Sequence, residues 1–246
     1  TAFTVTPAPL NVTGITVAGK VYDSTTAVAN SSISSSNATF TGLKNGDVLT
    51  LSQSNVTGTY ASANVGSAVS VNLQGFTLSG IKASNYAVTF PGLTAPITAA
   101  PLTITGVTGT NKVYNTSTAD ILSGTPILNG VLAADAANIT LVTSAASATF
   151  ATANVGTGIA VTVTGYTAPS SNYTVSQPSL TANITTVNLT INGLTADNKS
   201  YDGLTTATLS GTAAYVGLQN GESFSVTGSP SASFATANVG TGIAVT

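Results

Sequence analysis

The stretch FATANVGTGIAVT, residues 150–162, occurs twice in the chain, because residues 234–246 repeat it without a change. A related stretch, YASANVG, occupies residues 60–66. Ile159, Val161 and Val163 alternate with small or polar residues, and this period of two predicts a half-buried β-strand. The stretch therefore indicates a β-fold that the sequence encodes more than once.

Two further marks accompany this stretch. Lys-x-Tyr-Asp/Asn, which we call the first mark, precedes this stretch in every copy. The stretch itself, with its Asn-Val-Gly, is the second mark, and Asn-Tyr, the third mark, follows it in two copies. The recurring residues are Lys20, Tyr22, Asp23, Asn64, Gly66, Asn85 and Tyr86 in the first copy, Lys112, Tyr114, Asn115, Asn154, Gly156, Asn172 and Tyr173 in the second, and Lys199, Tyr201, Asp202, Asn238 and Gly240 in the third. The period is about 90 residues, which is too long for a solenoid repeat of 20–50 residues and predicts small tandem domains, like beads on a string.

The marks divide the chain into repeats. We predict a tail of a preceding repeat or a linker at residues 1–7, repeat 1 at 8–98, repeat 2 at 99–186 and repeat 3 at 187–246. Repeat 3 lacks the Asn-Tyr mark and the closing strand of the other two, so we expect it to be truncated. The missing part belongs either to a longer chain or to a strand that another subunit donates.

Each repeat has room for seven or eight short strands. Turn signals separate the alternating segments, for example Asn45-Gly46, Asn129-Gly130 and Asn220-Gly221. This pattern predicts an all-β fold of tandem antiparallel β-sandwich domains, Ig-like and elongated. β-grasp-like repeats are the alternative, although no segment has the pattern of a covering helix.

The composition excludes several function classes. Charged residues make up 5% of the 246 residues, the net charge is −2, and His and Cys are absent. Imidazole and thiolate chemistry are therefore unavailable, and we expect no catalytic residues, cofactor or metal site. The lack of a basic surface argues against nucleic acid. No run of about 18 apolar residues is present, so this segment is not expected to insert into a membrane.

The lysines of the first mark have two interpretations. One is an autocatalytic Lys–Asn isopeptide crosslink, with Asn85 or Asn172 as the amide partner. The other places the lysine stem on the tyrosine and its ammonium near Asp23 or Asp202. We favour the second interpretation. The acids Asp47, Asp135 and Glu222 are scattered and are expected to occupy turns rather than a calcium site.

The three marks together resemble the YDG-type repeat of very large secreted bacterial adhesins of the filamentous-haemagglutinin type. Tyr201-Asp202-Gly203 has the signature itself, whereas repeat 1 has Ser24 and repeat 2 has Asn115-Thr116 at the matching positions. The resemblance implies an exported, surface-exposed fibre, with these repeats in its stalk and with no catalytic activity.

The expected function is therefore a structural spacer that projects the binding tip of an adhesin from a bacterial cell surface, in cell adhesion or biofilm formation. The expected partners are neighbouring repeats of the same chain, with other copies of the chain or surface glycans as alternatives. Two other functions remain open. They are a module that binds glycans or the extracellular matrix, and a subunit of an extracellular filament assembled by strand donation.

Overall fold

The computed structural model describes residues 2–246 and shows within them β-strands and two short 3-10 helices but no α-helix. Thr and Val, which favour strands, are abundant, whereas strong helix formers such as Glu and Met are scarce or absent. The expected all-β class is confirmed. None of the helices in these residues has the length and apolar character that a membrane crossing requires.

Repeat 1 is built from short strands. They are β1 (Ala8–Thr13), β2 (Thr16–Val17), β3 (Lys20–Val21), β4 (Ala27–Val28), β5 (Ile33–Ser34), β6 (Thr39–Thr41), β7 (Thr50–Ser52), β8 (Thr57–Tyr60), β9 (Gly66–Gln74), β10 (Thr77–Ser79), β11 (Tyr86–Thr89) and β12 (Leu93–Thr98). The 3-10 helices span Asn30–Ser32 and Ala83–Asn85.

Repeats 2 and 3 continue the series. Repeat 2 contains β13 (Ala100–Gly109), β14 (Lys112–Val113), β15 (Ala119–Asp120), β16 (Leu122–Asn129), β17 (Ser147–Phe150), β18 (Gly156–Thr164), β19 (Tyr173–Ser176) and β20 (Ser179–Thr185). Repeat 3 contains β21 (Thr190–Ala196), β22 (Thr206–Ala207), β23 (Leu209–Val216) and β24 (Ala232–Ser233).

The strands belong to two compact units, which do not follow the repeats. Unit 1 comprises residues 2–107, 124–146 and 164–178. It contains a five-stranded sheet of order β3-β12-β9-β8-β4, three-stranded sheets of order β11-β1-β6 and β16-β13-β19, and the ribbons β2-β5 and β10-β7. Unit 1 therefore combines strands from repeats 1 and 2.

Unit 2 comprises residues 108–123, 147–163 and 179–246. Its five-stranded sheet has the order β14-β20-β18-β17-β15, and the ribbons β21-β23 and β22-β24 come from repeat 3. The order of this sheet matches that of the five-stranded sheet of unit 1, strand for strand along the repeat. The repetition in sequence is thus a repetition in topology.

The expected antiparallel pairing holds for many of the strand pairs but not for all of them, because several pairs are parallel. β1 pairs in parallel with β11 and β3 with β12, and repeat 2 has the same pairs in β13–β19 and β14–β20. Parallel partners need a long connection, and here the intervening strands of the same repeat supply it. Alternating apolar residues predict where a strand lies but not the direction of its partner. The sheets are therefore mixed.

The main buried cluster of unit 1 draws on two repeats. Repeat 1 supplies Tyr22, Val28, Ile33, Val56, Tyr60, Val71, Ala95 and Ile97, and repeat 2 supplies Ala100, Leu102 and Tyr173. The side chains of Ile97 and Leu102 are 1% and 0% exposed. This arrangement differs from self-contained beads. A chain of about 90 residues buries a modest share of its surface alone, and a core shared with the next repeat increases that share.

Candidate functional site

The lysine of the first mark holds the loop that follows it. In repeat 1 the Lys20 ammonium donates to Asp23 Oδ1 at 2.6 Å and to the Thr25 carbonyl at 2.7 Å. It also lies 5.2 Å from the centre of the Tyr60 ring, which begins the Asn-Val-Gly mark. A cation over an aromatic face is attracted to it. The lysine therefore joins the first and second marks within its own repeat.

The same lysine contact recurs in the other repeats. Lys112 donates to the Ser117 and Ala119 carbonyls and lies 5.1 Å from the Phe150 ring. Lys199 donates to Asp202 and lies 5.7 Å from the Phe234 ring. The contact persists in repeat 2, where Asn115 replaces the acid, so the carbonyls and the ring are its constant elements.

The residue that follows the Asp or Asn of the first mark has a left-handed backbone. Its φ is +76° at Gly203, and +64° at both Ser24 and Thr116. Glycine adopts this conformation without steric cost, whereas a residue with a Cβ is strained there. The glycine of the Tyr-Asp-Gly signature thus follows from the turn that the loop makes.

A second recurring element is an acid that ends a four-residue turn. The hydrogen bonds that close these turns join Asp47 N to Lys44 O, Asp135 N to Leu132 O and Glu222 N to Gln219 O, each at 2.9 Å. In repeats 1 and 3 the central residues are Asn-Gly with positive φ. In repeat 2 they are Ala-Ala, and Asn129-Gly130 lies earlier in the chain. The expectation that the acids occupy turns is confirmed, but Asn129-Gly130 is not the turn that ends at Asp135.

Within unit 1, Asp135 of repeat 2 brings together tyrosines of two repeats. The Tyr22 hydroxyl donates to Asp135 Oδ2 at 2.9 Å, and the Tyr173 hydroxyl donates to the same oxygen at 2.6 Å. The two rings meet edge to face, with centroids 5.4 Å apart and planes at 79°. Such pairs add about 0.5–1.5 kcal/mol to the stabilisation that burial gives. The first mark of repeat 1 is thereby attached to the Asn-Tyr mark of repeat 2.

The corresponding contact exists within unit 2. The Tyr114 hydroxyl of repeat 2 donates to Glu222 Oε1 of repeat 3 at 2.5 Å. Asn220, from the same turn as Glu222, donates to Thr116 Oγ1. A tyrosine of one repeat therefore meets the turn acid of the next repeat in both units.

The Asn-Val-Gly and Asn-Tyr marks also meet between repeats. Within unit 1, the Asn172 side chain accepts a hydrogen bond from Val65 N at 3.0 Å and donates to Asn64 Oδ1 at 3.0 Å. Gly66, which follows, lies opposite Ile97 of β12, and a Cβ there would come within 2.9 Å of the Val69 side chain. The second mark of repeat 1 thus binds the third mark of repeat 2.

We call this set of contacts the repeat junction. Between repeats 1 and 2 it joins the tyrosine of the first mark and the asparagine of the second mark to the turn acid and the Asn-Tyr mark of the next repeat. Between repeats 2 and 3 it joins Tyr114 to the turn acid Glu222. A family model for the YDG domain matches residues 6–95, 98–182 and 185–246. The chain belongs to the YDG domain family. Searches of the curated proteins and of the solved structures gave no match.

The environment of the tyrosines at the repeat junction, Tyr22, Tyr114 and Tyr173, favours the protonated hydroxyl. Burial, followed by the hydrogen bond to Asp135, raises the pKa of both Tyr22 and Tyr173. The hydrogen bond to Glu222 is the main cause that raises the pKa of Tyr114. A carboxylate acceptor next to a phenol disfavours loss of its proton. These hydroxyls therefore remain hydrogen-bond donors throughout the neutral range.

The aspartate of the first mark has a lowered pKa, in contrast to these tyrosines. Burial alone would raise the pKa of Asp23, but the hydrogen bonds from Lys20 and Thr25 outweigh it and lower that pKa. The hydrogen bond from Lys199 is the main cause that lowers the pKa of Asp202. Both carboxylates are thus charged partners of their lysines, as the favoured interpretation of the first mark expected. The aromatic ring near each ammonium is that of Tyr60 or Phe234 in the second mark, and not the tyrosine of the first mark that this interpretation named.

The two candidate crosslink partners have different surroundings. Asn172 contacts Asn64 and Val65 through its side chain, as described above. Asn85 is exposed at the end of the second 3-10 helix. The ammonium of Lys20 contacts Asp23, Thr25 and Ala27. Within unit 1 the Lys20 ammonium therefore binds carbonyl and carboxylate oxygens. The side-chain amide of Asn172 binds Asn64 and Val65 instead.

The sequence alone did not identify the turn acids as partners of the tyrosines of the first mark and of the Asn-Tyr mark. In repeats 1 and 2 one acid stands at a similar distance before the Asn-Tyr mark, with Asp47 preceding Tyr86 and Asp135 preceding Tyr173. That regular offset was the available signal. It was hidden because the acids were judged by metal-ligand spacing, and because the acid of repeat 3 is Glu222 rather than aspartate.

Proposed function

We propose that these YDG repeats are structural spacers in the stalk of a bacterial cell-surface or secreted adhesin, where they project a binding tip. The observation that carries the proposal is the repeat junction. A tyrosine of one repeat bonds the turn acid of the next in both units, and in unit 1 the two repeats also share a buried cluster. Repeats joined in this way resist bending and separation, which is the requirement for a stalk.

The marks that define the family support the proposal in a second way. Tyr22 and Tyr173 are 7% and 6% exposed, so they lie at the junction and offer little surface to a ligand. Lys20 and Lys112 hold loops and aromatic rings of their own repeats. The recurring residues therefore support the polypeptide itself rather than a recognition surface.

A replacement experiment in the producing bacterium tests the spacer function. Deletion of the YDG repeats should reduce adhesion while the tip is still exported. Unrelated tandem β-domains of the same total length should restore adhesion, because a spacer supplies distance rather than recognition. The proposal is wrong if only the native repeats restore adhesion, or if the isolated chain binds glycans reproducibly and a surface-loop variant abolishes that binding.

Surface exposure needs its own measurement. Antibodies raised against this chain should label intact cells or the culture medium under the spacer proposal. Labelling that requires permeabilised cells would place the repeats inside the cell and would contradict the proposed location.

A further inference from the structure

Repeat 1 contains a cavity of about 400 Å³ beside the strands β9 and β12. The apolar residues that line it include Ile15, Leu73, Phe76, Phe90, Pro91 and Leu93. The rings of Phe76 and Phe90 lie against each other, with centroids 5.2 Å apart. Cavities that bind small molecules have volumes of about 300–1,000 Å³, with mostly apolar walls and a few polar groups. The cavity is therefore large enough for a small, flat apolar molecule.

Phe76 of this cavity corresponds to Tyr166 of repeat 2. Each follows a glycine with a left-handed backbone, Gly75 with φ +87° and Gly165 with φ +88°. A threonine follows each of them. The chain therefore enters both positions in the same way, and the hydrogen bonds of the two backbones can be compared group by group.

In repeat 2 the side chain of Gln177 binds the backbone of Tyr166 at two points. The Tyr166 N–H donates to Gln177 Oε1 at 3.2 Å, and Gln177 Nε2 donates to the Tyr166 carbonyl at 2.8 Å. A primary carboxamide suits this position because it carries an acceptor and a donor in one plane. Repeat 2 thus shows which chemical group pairs with the backbone at this point of the repeat.

Repeat 1 has Phe90 where repeat 2 has Gln177. Each lies four residues after the tyrosine of the Asn-Tyr mark and directly before a proline. The Phe90 side chain offers neither a donor nor an acceptor, and the N–H and C=O of Phe76 make no hydrogen bond to any of residues 2–246. This difference follows from one residue type within the repeat. Repeat 1 therefore has, beside an apolar cavity, the two backbone groups that a carboxamide binds in repeat 2.

We propose that this cavity binds a small aromatic primary carboxamide. The oxygen of the ligand's carboxamide accepts a hydrogen bond from the Phe76 N–H, its NH2 group donates to the Phe76 carbonyl, and its ring packs against Phe90 and Leu93. Among the described residues that line the cavity none is charged, so a neutral ligand fits it better than an ion. The site goes beyond the spacer function and does not depend on it.

An NMR titration of the isotope-labelled chain with benzamide tests the site. A ligand of this size is expected to bind with a Kd of roughly 1 mM. The backbone N–H resonance of Phe76 should shift downfield on binding, because this group gains a hydrogen bond to an oxygen. The other shifts should be confined to residues that line the cavity. A Phe76 resonance that does not move at about 20 mM benzamide, roughly twenty times that Kd, would overturn the proposal.

Three analogues of benzamide separate the role of the carboxamide from that of the ring. Acetophenone has a methyl group in place of the NH2 group, and benzoate has a charged oxygen there, so both should bind at least about twofold to tenfold more weakly. Acetamide lacks the ring and should bind at least about tenfold more weakly. Equal affinities for benzamide and acetophenone would show that the cavity selects only for apolar surface and would contradict the carboxamide assignment.

Phe90→Gln gives repeat 1 the residue of repeat 2 and should abolish benzamide binding, because the new side chain occupies the backbone groups of Phe76. It should also slow hydrogen exchange at the Phe76 N–H. Phe90→Leu is the matched control, since it removes the ring without supplying an amide; it should weaken binding about two- to tenfold and leave that exchange fast. Benzamide binding to Phe90→Gln as tight as to the unaltered chain would contradict the site.

Gln177→Leu tests the contact that the ligand reproduces. Loss of the carboxamide should speed hydrogen exchange at the Tyr166 N–H about two- to tenfold, because this group loses its acceptor. Exchange at the Phe76 N–H should stay the same. Unchanged exchange at Tyr166 would show that Gln177 does not hold the backbone there, and the proposal would then lose its basis.

Discussion

The Tyr22 hydroxyl donates a 2.9 Å hydrogen bond to Asp135, a residue 113 positions further along the chain and in the next YDG repeat. The same carboxylate oxygen accepts the Tyr173 hydroxyl at 2.6 Å. One acid in a turn therefore holds two aromatic rings that belong to different repeats. Much of the cohesion between repeats 1 and 2 should depend on this carboxylate, and its removal should have a larger effect than the loss of either hydroxyl.

Asp135→Ala should lower the free energy of unfolding by about 2–4 kcal/mol, because it leaves two part-buried tyrosine hydroxyls without their acceptor. Tyr22→Phe should cost about 0.5–1.5 kcal/mol, since Asp135 keeps the bond from Tyr173. Urea unfolding followed by tyrosine fluorescence measures both values. Tyr201→Phe removes an exposed hydroxyl and is the control, with a change of less than about 0.5 kcal/mol. Equal costs for Asp135→Ala and Tyr201→Phe would refute the role of the carboxylate.

Alkaline pH should weaken the junction. The pKa values of Tyr22 and Tyr173 are raised by burial and then by the bond to Asp135. Between the ordinary tyrosine pKa and these raised values, the folded chain binds more protons than the unfolded chain, so stability falls as the pH rises. The stabilisation is complete below about pH 10 and is lost above it.

Unfolding free energies measured at intervals from pH 8 to pH 11.5 test this dependence. The variant with both Tyr22→Phe and Tyr173→Phe lacks the two hydroxyls and should show a shallower decline above about pH 10 than the unaltered chain. Identical slopes for the two proteins would show that these tyrosines do not cause the alkaline loss.

The two asparagines of the Asn-Tyr marks should differ in their contribution to stability. Asn172→Ala removes the bonds to Val65 and Asn64 and should cost about 1–2 kcal/mol. Asn85→Ala alters an exposed side chain and should change the stability of the single chain by less than about 0.5 kcal/mol. Thermal or urea unfolding of the pair gives the comparison. A cost at Asn85 as large as that at Asn172 would contradict the assigned contacts.

Ser24→Gly should stabilise the chain by about 0.5–1 kcal/mol. Ser24 has φ +64°, and glycine removes the strain at the cost of some additional entropy in the unfolded chain. Gly203→Ser should have the opposite effect. A Cβ at Gly203 would meet no atom within 4 Å, so its cost comes from the backbone alone. Shifts in the unfolding midpoint provide the measurement, and opposite signs from those stated would exclude the backbone explanation.

The local features of the YDG repeats could be predicted from the sequence. Alternating apolar residues such as Ile159 and Val161 predict the strand β18, and the all-β class follows from many such segments. The lysine and the acid of the first mark are three residues apart, so their ion pair could be expected too. Each of these features depends on residues close together in the chain, for which spacing determines geometry.

The pairing of Tyr22 with Asp135 could not be predicted in this way, and neither could the parallel pairing of β1 with β11. Both join distant segments, and no local pattern specifies which partner a strand or a hydroxyl will meet. The turn acids illustrate the limit, because the sequence placed Asp47, Asp135 and Glu222 in turns but did not reveal the tyrosines that they bind.

By itself, the sequence determined that a small β-fold recurs, that each copy bears the same three marks, and that the chemistry of His and Cys is absent. The tertiary structure decided that these marks meet between repeats and that the core of unit 1 belongs to two of them. The physical reason is burial. A repeat of about 90 residues covers its apolar residues incompletely alone, and the surface that completes the burial is supplied by the adjacent repeat.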